Sequence, residues 1–265
     1  MFENHDIVLL TETWTNPLWN IEVAGFEHYV LHRLYKKKGT RRDSGGLAIY
    51  VRNNLSKGIK LIKTGQDDII WLQMDKHFFG LDEDVLLCLT YVIPGNSTRR
   101  DLIVEHTLHR IESDIVELKE KYGRGSQILL AGDLNARTRD SADYVVWDEI
   151  HEALPLPGDY VTDEFIVPRV SMDLKARINE NGSKLLDFCK TVGMRICNGR
   201  VGKDKGVGSF TCHTYRGKSL VDYVLCSDIL LKEMSHFEVA DPNEFSVHCV
   251  ISFAMSGPQV GHRVR

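Results

Sequence analysis

Gln127-Ile128-Leu129-Leu130-Ala131-Gly132-Asp133-Leu134-Asn135-Ala136-Arg137 is the stretch on which the reading of this chain turns. The apolar run Ile128–Ala131 predicts a short buried strand ended by Gly132. A carboxylate and a carboxamide, Asp133 and Asn135, follow one residue apart. Side chains at i and i+2 share a face of an extended chain, so both can converge at the mouth of a sheet. A carboxylate orients or deprotonates water, and an amide donates to an anionic oxygen. The pair therefore suits attack of water on a phosphate ester. It equally suits an Asx turn that closes the strand.

Working outward, the long helix expected before this strand is Arg99–Tyr122, with Leu102, Ile103, His106, Leu108, Ile111, Ile115 and Leu118 recurring at three- and four-residue steps and Gly123 and Gly125 as the stop. Upstream, strands are expected at Asp6–Leu10, Tyr29–Leu34, Leu47–Val51, Ile59–Lys63, Ile69–Met74 and Val85–Val92, with turn clusters between them that favour antiparallel pairing. Hairpins, a helix and a new strand make half of a layered α/β sandwich. Downstream, 138–178 holds Pro155, Pro157 and Pro168 and little periodicity, and reads as a long surface insertion. A helix over Asn179–Val192 and a strand over Met194–Cys197 follow. Gly208–His213 and Leu220–Cys226 read as an antiparallel pair, and Met234–Val239 and Cys249–Phe253 as closing strands. One domain over 1–255 with a flexible tail at 256–265 is the expected organisation.

Several polar residues sit where strands emerge. Glu12 follows the first strand, with a solvated loop carboxylate as the alternative. Tyr91 ends the Val85 strand, with a half-buried aromatic as the alternative. Asp222 interrupts an apolar strand, where a buried carboxylate is costly unless paired. Lys36–Arg42 is a basic loop that meets either phosphate backbone or only solvent.

Composition narrows the class. The 265 residues are 43% hydrophobic and 26% charged, which is globular. A net charge of −4 excludes a uniformly basic surface, so an anionic partner needs a local patch or a bound cation. Six cysteines without CxxC spacing predict buried, reduced thiols and an intracellular setting, nuclear or cytoplasmic. No basic, apolar leader and no membrane-length apolar run are found, so secretion and membrane association are not expected.

The order of signals resembles the endonuclease/exonuclease/phosphatase superfamily, and within it the apurinic-endonuclease-like domain of non-LTR (LINE-type) retrotransposons. The matching residues are Leu9-Leu10-Thr11-Glu12-Thr13, Gly45-Gly46-Leu47-Ala48, Tyr91 with Pro94, and Gly132–Arg137. They continue with Asn181-Gly182, Leu185-Leu186-Asp187-Phe188, Gly199-Arg200, Ser219–Tyr223 and Ser246-Val247-His248. The resemblance implies a four-layer α/β sandwich, two face-to-face mainly antiparallel sheets flanked by helices. It implies Mg²⁺-dependent phosphodiester hydrolysis on DNA, with Mn²⁺ as a substitute and a reverse transcriptase domain downstream. By position, Glu12 holds the metal and Asp133 activates the water. Asn135 and Tyr91 bind the attacked phosphate, and His248 touches a phosphate oxygen with Asp222 behind it. Arg99, Ser209 and Ser219 fall near the substrate.

Two departures stand out. Val247 occupies the position where the family motif carries Asp, and a valine binds no cation. The family's first strand is also expected to be missing, leaving Asp6–Leu10 at an edge. Both imply weak or absent nuclease activity, and Val247→Asp alone is not expected to restore full plasmid nicking. The rival readings are a catalytically inactive module that binds nucleic acid or protein, a phosphoinositide or sphingomyelin phosphoesterase, and a translated relic without function.

Overall fold

The centre of the molecule is a β–α–β unit. Strand β6 (Val85–Tyr91) and strand β7 (Gln127–Asp133) run parallel, with helix α2 (Thr107–Tyr122) crossing between them. A parallel pair requires such a crossover, because a tight turn returns the chain antiparallel. The computed structural model describes residues 2–19, 21–32, 45–65, 68–95, 97, 105–145 and 166–256.

Six strands form the main sheet, in the order β4 (Ile59–Gly65), β5 (Ile69–Met74), β6, β7, β11 (Asp222–Ser227) and β8 (Met194–Ile196). Every neighbouring pair in it except β6–β7 is antiparallel. A second sheet has β3 (Leu47–Arg52) between β1 (Ile7–Thr11) and β2 (Phe26–Leu31), all antiparallel. β12 (Met234–Val239) pairs with β13 (Ile251–Met255). A short hairpin joins β9 (Cys212–Thr214) to β10 (Gly217–Ser219).

Two cores define the layers. One lies between the sheets: Leu47, Ile49 and Val51 of β3 meet Ile70, Leu72, Leu87, Leu89, Leu129 and Ala131 of the main sheet, with Phe237 from β12. The other lies on the far face of the main sheet. There Leu108, Ile111, Ile115 and Leu118 of α2 pack with Leu185 and Phe188 of helix α3 (Glu180–Val192) over Trp71, Cys88, Ile128 and Leu130. Strands buried on both faces read as continuous apolar runs, as Val85–Leu89 does. The outer face of the second sheet is covered by the 3₁₀ turn Phe2–Asn4, with Phe2 edge-on to Phe26 and Tyr50. The protein is thus an α/β sandwich of two face-to-face, mainly antiparallel sheets. Two short helices are also present, α1 (Lys76–Phe79) and α4 (Asp228–Glu233).

Several expectations are corrected. α2 starts at Thr107, with the His106 side chain accepting from Leu108 N as its cap; Glu105 is already outside the helix, and 98–104 lie outside the described residues. Gly132 does not end its strand, which runs on to Asp133. The expected Gly208–His213/Leu220–Cys226 pair does not form. Asp222–Ser227 lies inside the main sheet between β7 and β8, and Cys212–Thr214 pairs with Gly217–Ser219 instead. An apolar run such as Val221–Cys226 is marked for burial but carries no address for its partner. The insertion is not wholly on the surface: Thr138, Asp143, Arg169, Ser171 and Asp173 are buried at its two ends. The Lys36–Arg42 loop and the tail beyond 256 lie outside the described residues.

Candidate active site

Register brings the site together. Tyr91 stands opposite Asp133 in the β6–β7 pair, and Asp222 stands opposite Asp133 in the β7–β11 pair. Three neighbouring strands therefore present Tyr91, Asp133 and Asp222 in one row at one end of the strands of the main sheet. Gly132 makes that row possible, because a Cβ there would lie 1.8 Å from Thr90 O on the neighbouring strand.

Asp133 is the most buried acid of the row, only 6% exposed. Its Oδ1 accepts from Asn135 N at 2.9 Å, and Asn135 Nδ2 donates to Val92 O at 2.9 Å. Asn135 has φ +47°, so the chain turns here and does not continue as a strand. The expected i, i+2 convergence on an extended chain is therefore replaced by an Asx turn, and that turn holds the amide beside the carboxylate. The turn is clamped from α3. Asn179 Nδ2 donates to Asn135 O at 2.8 Å, and Asn181 Nδ2 reaches Ile93 O and Leu134 O. Gly182 lets α3 come this close, since a Cβ there would lie 2.0 Å from Arg137 O.

Asp222, where a partner was required, has one: His248 Nδ1 lies 2.9 and 3.0 Å from its two carboxylate oxygens. The hydrogen bond to Asp222, reinforced by Cys212, pushes the His248 imidazole up to about 11, so it is cationic at neutral pH. Burial, then the Asp222 charge, pushes Asp133 up to about 7. Asp133, Asp222 and His248 each offer a ligand atom, all within 4.8 Å of one another. Two carboxylates and an imidazole are an acceptable donor set for a divalent cation. The buried, proton-hungry Asp133 independently calls for positive charge, so the residues fit a metal.

Glu12 sits just past β1 with φ +53°. Its Oε2 accepts from Gly45 N at 3.0 Å and Trp14 Nε1 at 2.9 Å, and its charge adds to the upward shift of Asp133. It is near the cluster electrostatically without belonging to the group of three. Among the described residues, two of the four non-glycine residues at positive φ are the candidate site residues Glu12 and Asn135, the kind of place where folds store strain for function. Ser209 spends its hydroxyl on Asp204 Oδ1 at 2.7 Å, and Ser219 is buried at the end of β10. Arg99 lies outside the described residues. Val247 is half exposed beside His248.

Three contributors escaped the sequence reading. Thr211 Oγ1 accepts from Val221 N and Asp222 N. Asn198 Nδ2 donates to Asp222 O. Cys212 Sγ lies 3.8 Å from His248 Nε2. Their only signal was adjacency to stretches already singled out.

An α/β sandwich carrying carboxylates, a carboxamide and a cationic imidazole together at the strand ends of its main sheet defines a phosphoesterase class. A profile of the Endonuclease/Exonuclease/phosphatase family matches residues 1–243, and the chain belongs to that family. A search of curated protein sequences finds no match. Among solved structures, the fold is similar to the endonuclease domain of TRAS1, a telomere-specific non-LTR retrotransposon (16% identity, 94% of this chain and 85% of that one, TM-score 0.53). It is also similar to the AP endonuclease LMAP from Leishmania major (15%, 97% and 80%, TM-score 0.61). A third is the 3′ phosphatase NExo from Neisseria, bound to product DNA hairpin (13%, 95% and 89%, TM-score 0.57). The protein is an enzyme of the nuclease and phosphatase type.

Proposed function

We propose that this protein nicks DNA by Mg²⁺-assisted hydrolysis of a phosphodiester, as a retrotransposon-type endonuclease. The observation that carries this is the convergence of Asp133, Asp222 and His248 within 4.8 Å, with the Asn135 turn beside them. Asp133 takes the proton of the attacking water, a task suited to a carboxylate whose proton affinity lies near the working pH. Asn135 and Tyr91 border the phosphate. The imidazolium of His248, held by Asp222, offsets charge on a non-bridging oxygen. A Mg²⁺ or Mn²⁺ ion held by Glu12, with Asp133 beside it, would supply further positive charge when bound. This also accounts for how a protein of net charge −4 meets a polyanion.

The likeness to the TRAS1 domain favours a retrotransposon origin, with a reverse transcriptase in the parent protein, and DNA on the NExo structure favours this substrate. Val247 keeps turnover low, because no carboxylate stands there to share the cation. The test is nicking of supercoiled plasmid with Mg²⁺. Slow conversion to open circles, lost in Asp133→Asn, is expected. Plasmid left uncut while a phosphoinositide or sphingomyelin is hydrolysed would assign the other substrate class. Mobility shift with no cutting at any metal concentration would make the protein a binding module.

A further inference from the structure

We infer that His106 is a positioning residue for the candidate active site: through Asn181 it holds the turn that carries Asn135 beside Asp133. His106 caps α2, and Asn181 is the second residue of α3, so the ring joins the starts of the two helices.

The two ring nitrogens have different tasks. Leu108 N donates to Nδ1 at 3.3 Å, so Nδ1 carries no hydrogen. The ring proton of the neutral imidazole then stands on Nε2, which donates to Asn181 Oδ1 at 3.3 Å. Burial, the largest influence, acts with Lys184 and His109 against Asn181 and Glu180 and holds this imidazole below its ordinary 6.5. The neutral form that both bonds need is therefore the one present at neutral pH.

The other end of the Asn181 amide meets three carbonyls. Nδ2 donates to Ile93 O at 3.1 Å and to Leu134 O and Asn135 O at 3.3 Å each. Ile93 lies just past β6 and Tyr91, and Leu134 and Asn135 lie just past β7 and Asp133. One buried amide thus ties the exits of the two strands that supply Tyr91, Asp133 and Asn135. Flipped, it would set its oxygen against those carbonyls. The His106 proton completes the correct orientation, because a buried acceptor left without a donor is costly. His106 acts through Asn181 and not on the substrate.

The effect on turnover rests on the function proposed above; the hydrogen-bond chain does not. Two variants separate positioning from capping. Asn sets an oxygen near the place of Nδ1, and Gln sets a nitrogen near that of Nε2. His106→Asn therefore keeps the cap and drops the bond to Asn181, whereas His106→Gln keeps that bond and is the poorer cap. In plasmid nicking with Mg²⁺, His106→Asn should lower kcat at least about tenfold with KM unchanged, since misplacing a reacting group by about 1 Å can cost on the order of a hundredfold. His106→Gln should restore most of that rate although it melts earlier. By NMR, the Asn181 side-chain amide protons should exchange about fivefold faster in His106→Asn, the size one lost hydrogen bond implies, and stay slow in His106→Gln. Wild-type kcat or wild-type exchange in His106→Asn overturns the proposal. So does a rate lost only in His106→Gln, which would leave His106 a helix cap and nothing more. Faster exchange in a protein whose wild type never nicks DNA keeps the linkage and overturns the function.

Discussion

His248 and Asp133 belong to one cluster, and their proton affinities make their roles testable. The His248 value is raised to about 11, above the ordinary 6.5, chiefly by the Asp222 hydrogen bond. The sign follows: the charged pair stabilises the fold fully below pH 6.5, and that contribution is lost as pH rises through about 11. In metal-free protein the ring resonances should therefore show no titration between pH 6 and 8, about the span in which an ordinary histidine titrates. Asp222→Asn should bring titration back into that range; an unchanged profile would break the pairing. Asp133 is raised to about 7, so as a base it is blocked below that pH and free above it. Nicking should rise with pH through about 7, and added Mg²⁺ should move this limb to lower pH, because a cation beside the carboxylate favours its charged form. These residue types and their order were legible in the sequence. Their meeting was not, since 88 residues lie between Asp133 and Asp222 and only strand register opposes them.

Among the elements, periodicity found α2, α3 and most strands, because each is amphipathic or fully buried. Sequence alone failed on β9 to β11, where short runs have several equivalent partners, and on the 138–178 segment. In its described parts, 138–145 and 166–178, tertiary polar contacts hold the chain. Arg200 forms a bidentate pair with Asp143 at 2.6 and 2.8 Å, and Arg169 reaches Thr138 Oγ1 at 2.7 Å, itself bonded to the Tyr223 hydroxyl. This explains the Gly199-Arg200 motif: the guanidinium ties the start of the segment to the end of β8, where Asp143 also accepts from Ile196 N. Burial pushes the Asp143 carboxyl up, but the Arg200 guanidinium outweighs it and holds the group below the ordinary carboxylate value. Its contribution is present above the ordinary value and lost as pH falls through the lowered one. Asp143→Ala should cost about 3–5 kcal/mol, as for other buried pairs broken on one side. A chemical denaturation midpoint unchanged in that variant would refute the anchor.

At the scale of the whole molecule, the group of Asp133, Asp222 and His248 is one that could hold a divalent cation, and that capacity is testable. A divalent ion that binds only the native state adds about 2.7 kcal/mol at a hundred times its dissociation constant. For a chain of this size that corresponds to a rise in Tm of about 5–10 °C. Mn²⁺ should give such a shift, EDTA should reverse it, and Asp133→Asn should abolish it. An identical melting curve with and without the ion would show that the cluster binds none. The amino-acid sequence by itself determined the fold class and the order of the polar motifs. Burial patterns and short polar motifs are local properties, written residue by residue. Tertiary structure alone decided that Tyr91, Asp133 and Asp222 share one row, and that the turn at Asn135 supplies its amide. It also decided that Cys212 lies against His248. Those are facts of register and close approach between distant segments, which no local pattern encodes.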